Sequence, residues 1–371
     1  MALTVSILML LAIAAPASGG GTGEPEGVAV AANVTYLTAC PLAFYNTIVG
    51  KECPMLSFNL SNAGSSPRSI RAFSEYQGLS YRSVNTGTVS PGSSTLVNQT
   101  PSLLRNRTAN ISTITTVNLH YGVEVYDGTG WRLLEEQTVP VDVFPEDIMI
   151  WEAMDSEGNR VPLYEFVGVF VTPNSPAVRE LLATAGRYAD PAYDSRYSTY
   201  LLEHSLEGYQ YPGDSIYEYR NYTALQVKAV YNALKYGYNI TYINTATAVG
   251  GPDGYYLQRI NPPEESIRLE TANCADGAVL IASALEAVGI RPYIVTFPDH
   301  VFVAWGTDDT GKYIDALETT MLGTSDFEDA YAVGNAELLE YWELINNSEF
   351  EDDYLIVDIG EVRELGVLPM R

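Results

Sequence analysis

The chain has 371 residues, 46% of them hydrophobic, with 46 acidic against 20 basic side chains and a net charge of −26. That length allows two domains with real cores, and a surface so acidic repels nucleic acid and anionic lipid, which excludes both as expected partners of the second domain, where the charge lies. The charge is lopsided: residues 1–140 hold 7 basic and 8 acidic groups, net −1, whereas the remainder hold 13 and 38, net −25.

Residues 1–17 read as a signal peptide: Leu3 to Ala17 is apolar and ends in the small-residue pattern Ala15-Pro16-Ala17, although no Lys or Arg precedes Lys51. Residues 18–29, rich in Gly, read as a linker. Export fits the cysteines. Cys40 and Cys53 are close enough in sequence to close a small loop as a disulfide, which leaves Cys274 unpaired. It also fits eight N-x-S/T sequons, at Asn33, Asn59, Asn98, Asn106, Asn110, Asn221, Asn239 and Asn346. The expected location is extracellular or at the cell surface, and the composition suits a glycoprotein of a salt-adapted or archaeal organism.

Residues 30–146 show a β pattern. Met55 to Leu60, Ser69 to Phe73, Asn118 to Tyr126 and Trp131 to Leu134 alternate or are β-branched and aromatic, and Gly/Pro/Ser/Asn clusters separate them. This spacing predicts an antiparallel sandwich of immunoglobulin-like size, with no chemical site. Composition changes near Pro145, and residues 147–371 form the second expected domain. There, Tyr164 to Thr172 reads as a strand, Ala177 to Ala185 and Ala224 to Tyr236 as helices. Residues 188–242 contain 13 of the 27 tyrosines, which either line a groove or pack half-buried between helices. Pro292 to Phe297, His300 to Trp305 and Lys312 to Leu317 read as strands, the last two joined by the turn Thr307-Asp308-Asp309-Thr310-Gly311.

The chemistry concentrates at Cys274. It opens a helix capped by Asn273 and stopped by Gly289, with apolar side chains at 278, 281, 282, 285 and 288. A thiol in the first turn sits at the positive end of the helix dipole, which favours the thiolate nucleophile. Such a thiol needs an imidazole, and the imidazole a carboxylate or amide to orient it. His300 opens a later strand, and an acid stands on the next. Two acids compete for that place, Glu318 and Asp315. They are an odd number of residues apart, so a regular strand points them to opposite faces and only one of them can meet His300. Asp276 reads as a tie at the helix start. Gln258 is a candidate oxyanion donor beside the Cys274 amide, against the plainer reading of a strand-edge glutamine. No metal is expected from three scattered histidines, and no cofactor, since no phosphate-cradling glycine loop precedes a helix.

These residues resemble the transglutaminase-like superfamily of papain-like thiol enzymes, in an exported prokaryotic branch. The family's cysteine with an acid two residues on is matched by Cys274 and Asp276, and its helix ending in Gly-Ile by Gly289-Ile290. Its His-Ala-Trp strand becomes His300-Val301-Phe302, and its Asp-Pro-Thr strand end becomes Glu318-Thr319-Thr320. The likeness spans roughly residues 150–371 and is strongest over 255–330. It implies an α+β domain in which a Cys-bearing helix packs on an antiparallel sheet, with Cys274 as nucleophile and His300 as base; alignment on the terminal Thr makes Glu318 the preferred orienting acid, while counting from His300 would equally allow Asp315. It also implies an enzyme that cleaves or transfers amide bonds through an acyl-enzyme, hydrolysis being favoured. Its substrate would be a protein or peptide, cell-surface components among them. The reading from a different class is a catalytically idle surface binding or structural module.

Overall fold

The computed structural model describes residues 30–45, 47, 54–154, 158–211, 213, 215–244, 254–297, 300–346 and 355–370. The expected signal and linker, residues 1–29, lie outside them, as does Cys53. The chain is a mixed α+β protein with several sheets. It divides into two compact units: Met1–Ile148 with Glu152–Pro162 and Gly251–Tyr255, and Met149–Trp151 with Leu163–Gly250 and Tyr256–Arg371.

In the first unit β1 (Val30–Tyr36), β3 (Leu56–Asn62) and β6 (Ser93–Gln99) form one sheet in the order β1-β3-β6. Here β2 is Ala39–Pro41, β4 Arg68–Tyr76, β5 Ser83–Val89, β7 Thr115–Tyr126 and β8 Trp131–Phe144, and these five form a second sheet in the order β2-β8-β7-β4-β5. Alternation decides which faces turn inward. In β3 every second residue, including Phe58 and Leu60, is buried, and so are Leu119, Tyr121, Val123 and Val125 of β7. The Tyr121 ring lies 5.8 Å from Tyr36 and 6.1 Å from Phe58, so the apolar faces of the two sheets meet there. Cys40 is a buried free thiol, so the expected Cys40–Cys53 bridge is not supported. β9 (Ile148–Met154) turns back through Glu152–Met154 onto β10 (Arg160–Pro162).

The second unit begins with the run Tyr164–Phe170, a 3-10 helix and not the expected strand. Six of its seven residues are buried, and a short apolar run buried all round has no periodicity to tell strand from helix. Helix α1 (Pro176–Tyr188) comes next, with Ser175 capping it and Pro176 at its first position. After it, α2 (Ile216–Asn232) starts earlier than expected, because its first turns carry exposed polar and aromatic side chains and no apolar stripe; a π turn, Ala233–Gly237, ends it. The dense tyrosines serve mainly as packing. Tyr197, Tyr222 and Tyr231 are fully buried, and Tyr200, Tyr211, Tyr219 and Tyr222 form a cluster of rings.

Strand β11 (Thr241–Tyr242) pairs in parallel with β13 (Thr271–Ala272), and β12 (Tyr255–Arg259) and α3 (Pro263–Leu269) lie between them in sequence. Helix α4 is Cys274–Ala287. Residues 275–285 are buried all round, which explains why this helix is built largely of Ala, Val, Leu and Ile. The buried Ser283 hydroxyl is satisfied: Oγ donates to Val279 O at 2.6 Å and accepts from Thr172 N at 2.8 Å. α4 packs on the antiparallel sheet β16-β15-β14-β17, where β14 is Pro292–Thr296, β15 Val301–Gly306, β16 Ile314–Leu317 and β17 Leu355–Asp358. A long helix, α5 (Phe327–Asn346), sets Leu338 and Tyr341 against Tyr293, Val295, Phe302, Ala304 and Ala316 of that sheet. β15, packed by neighbours throughout, is buried at all six residues. The short α6 (Ile359–Glu364) succeeds β17. No helix among the described residues is long and apolar enough to cross a membrane.

Candidate active site

Topology brings the key side chains together. β15 and β16 are antiparallel neighbours with Val303 opposite Leu317, so the residue just before β15 and the residue just after β16 emerge at the same end of the sheet. Those residues are His300 and Glu318. His300 Nε2 and Glu318 Oε2 are 2.8 Å apart. With Nε2 engaged, the ring's other nitrogen is left for the thiol of Cys274, which lines the same cavity and lies close enough to raise the pKa of the ring.

The helix start is fixed as closely. Asn273 accepts from Asp276 N at 2.9 Å, and Asp276 reaches back to Asn273 N at 3.2 Å, which makes a capping box. Asp276 further accepts from Asn261 N at 2.7 Å and Asn261 Nδ2 at 3.0 Å, so it anchors the preceding loop and takes no place beside the thiol. Burial raises its carboxyl above the usual range, and these three hydrogen bonds work against that rise. From the other side Thr319 Oγ1 donates to Cys274 O at 3.1 Å, tying the turn that bears the acid to the helix that bears the sulfur.

Burial alone would lower the pKa of His300, but hydrogen bonds from its ring to Cys274 and Glu318 and their charges more than reverse this and raise it to about 10. The ring is therefore imidazolium at neutral pH. Its side chain is 23% exposed whereas Glu318 is 3% exposed, so the acid lies behind the base, away from solvent. Burial pushes the Glu318 carboxyl up, yet His300, Glu337 and the Thr320 amide at 2.7 Å together hold it well below the usual carboxylate range. Glu337 goes the other way: burial and the neighbouring Glu318 push it up to about 8.

Asp315 is not part of this group. It is buried on the opposite side of β16, where it takes a 2.6 Å ion pair from Arg220 and a 2.6 Å hydrogen bond from the Tyr331 hydroxyl. Between Asp315 and Glu318, only Glu318 reaches the imidazole.

Cys274 and His300 open onto a cavity of about 150 Å³ whose walls include Trp151, Tyr164, Tyr242, Tyr256, Gln258 and Phe297. Among the described residues no Asp, Glu, Lys or Arg lines it. Gln258, on β12, accepts from Trp151 Nε1 at 2.7 Å through its Oε1, which leaves its NH₂ as the end able to donate. Burial and the nearby Cys274 and Glu318 raise the pKa of Tyr242, so its hydroxyl keeps its proton. The Cys274 amide belongs to the first turn, whose amides have no partner inside the helix. His300, Glu318 and Glu337 present donor atoms within 4.8 Å of one another, a spacing a cation could span, but the nearest atoms of the first two are already spent on each other.

Sequence reasoning does not reach Trp151, Tyr242 or Glu337. Trp151 and Tyr242 come to the cavity from elements remote in sequence, so no local pattern marks them. No protein-family model matches this chain. No curated protein matches it either. Among solved structures, red sea bream transglutaminase is similar at 11% identity and a TM-score of 0.21, over 73% of this chain and 49% of that one. The chain thus spans about half the length of that protein, and a likeness this slight carries no argument about activity.

Proposed function

We propose that this chain is an exported thiol enzyme of transglutaminase-like type, acting on amide bonds of proteins or peptides through a Cys274 acyl-enzyme, with hydrolysis as the main outcome. The observation that carries the reading is the line Cys274–His300–Glu318, with the imidazole 2.8 Å from the acid and the thiol facing a cleft. The Cys274 thiolate attacks the amide carbonyl, and the carbonyl's electron pair moves onto oxygen. The Cys274 amide and the Gln258 NH₂ are the candidate donors to that oxyanion. Imidazolium His300 then gives its proton to the leaving amine as the C–N bond breaks. Water, deprotonated by the neutral ring, releases the acid; an amine in its place completes acyl transfer. Apart from His300 and Cys274 themselves, no Asp, Glu, Lys or Arg among the described residues lines the cleft, which suits a neutral acyl side chain.

The same reading takes residues 147–371 as the transglutaminase-like domain and residues 30–146 as an immunoglobulin-like sandwich. The sheet orders β1-β3-β6 and β2-β8-β7-β4-β5 support the second assignment, because the chain crosses between sheets in Greek-key fashion. Residues 1–17 serve as signal peptide and residues 18–29 as linker. Export is supported by the sequons: all seven whose asparagine side chains are described, at Asn33, Asn59, Asn98, Asn106, Asn110, Asn221 and Asn239, are exposed.

Iodoacetamide labelling tests the chemistry. Cys274 should alkylate near pH 7 at least about tenfold faster than an unperturbed thiol, and Cys274→Ala should remove both the label and turnover of peptide amides. Labelling no faster than free cysteine would leave only an idle surface module.

A further inference from the structure

We propose that Glu337, carried on α5, is a positioning residue of this site: as a neutral carboxylic acid it donates a hydrogen bond to Glu318 and holds the carboxylate that orients His300. The proposal rests on the triad reading above and extends it to a helix outside the Cys–His–acid order.

The seat of α5 on the sheet sets the geometry. Gly334 abuts the end of β16 so closely that a Cβ there would stand 2.7 Å from Glu318 N and from the carbonyl carbon and Cα of Leu317. Those are backbone atoms and cannot swing aside. One turn earlier, Ala330 O accepts from Glu318 N at 3.1 Å. Residues 330, 334 and 337 share one stripe of a helix, so the contact that seats Gly334 on Glu318 aims Glu337 at the Glu318 side chain. Alongside, Asn335 Nδ2 donates to Ala316 O at 3.2 Å and keeps the helix in register with the strand.

Two ionised carboxylates are acceptors only and cannot hydrogen-bond each other; a bonded pair must hold a proton. Glu318 already accepts from His300 and from Thr320 N, which stabilise its ionised form, so the proton resides on Glu337. Side-chain oxygens of Glu337 and Glu318 and a ring nitrogen of His300 lie within 4.8 Å of one another, and Glu337 Oε2 is buried with no hydrogen-bond partner among the described residues, so a proton on that carboxyl has Glu318 as its nearest acceptor. The charges facing Glu337 are Glu318 and His300 from the strand ends and Glu340 from its own helix. The two acids favour its neutral form and His300 opposes it. As pH rises past about 8, Glu337 ionises, its hydrogen bond to Glu318 is lost and a second negative charge faces the pair.

NMR titration of the His300 ring in the full chain provides the test, with Cys274 alkylation measured alongside. The chain has 3 histidines, so the ring signals can be assigned. In the wild type the His300 shifts should show an inflection near pH 8 below the main titration. Glu337→Gln, which keeps a donor, should erase that inflection and leave alkylation at pH 6.5 within about twofold. Glu337→Ala should move the main His300 midpoint down by about one pH unit, with a roughly tenfold slower alkylation at pH 7. Curves for both variants that superimpose on the wild type would overturn the proposal. Normal His300 behaviour with a Cys274 no faster than free thiol would sink the enzyme reading and leave the role of Glu337 standing.

Discussion

Two buried acids lie three residues apart at one strand end, and they live in different chemistry. Asp315 is 1% exposed and sits against Arg220 and Tyr331; Glu318 is 3% exposed and sits against His300 and Glu337. Asp315 meets a guanidinium that is always charged and half open to solvent, so its partner does not exchange protons over the accessible pH range. Glu318 meets an imidazole and a second carboxyl, both of which exchange protons with pH. Equal burial thus makes one acid a clamp and the other part of a proton network, and the partner's chemistry decides which.

The sharpest way to break that contrast is Glu318→Gln. Loss of the carboxylate should cost on the order of 10³-fold in turnover of a peptide substrate. It should also bring the alkaline limb of Cys274 alkylation down from about pH 10 toward the ordinary histidine value of 6.5. The raised pKa gives the sign. Stability gained by pairing His300 is fully present below about 6.5 and is lost as pH rises through about 10, and the variant should not show that loss. Asp315→Asn should do the reverse: denaturant titration should lose about 2 kcal/mol, while turnover stays within about threefold. Equal kinetic losses in the two variants would erase the distinction. Gly334→Ala should have the smallest effect on chemistry. Overpacking against the Leu317–Glu318 backbone should cost about 1–3 kcal/mol, with alkylation slowed by no more than the Glu337→Ala variant.

What the residues alone disclose is the local part. Asn273 as cap, Gly289 as stop and the three strands after α4 stand close to where capping and alternation put them. The odd step from Asp315 to Glu318 is enough to send the two acids to opposite faces of a strand. Glu337 stays hidden for a physical reason. α5 offers Glu328, Asp329, Glu337, Glu340 and Glu343 as acids, and only the seat of Gly334 on β16 selects which one faces the site. The helix itself has apolar Ala330, Leu338 and Tyr341 and acids in its first turn, but Gly334 in the middle weakens that pattern. Tyr164–Phe170 passes for a strand in the sequence because a segment surrounded by protein carries no record of its own twist.

The mounting of the sulfur has a mechanical consequence. Cys274 opens a rod whose next eleven residues are shielded from water, with Leu280, Ile281 and Leu285 each contributing about 2 kcal/mol through burial. Local breathing cannot tilt that rod without dissolving the hydrocarbon centre of the unit. The nucleophile therefore cannot drift out of alignment by degrees; its readiness ends when the whole unit melts.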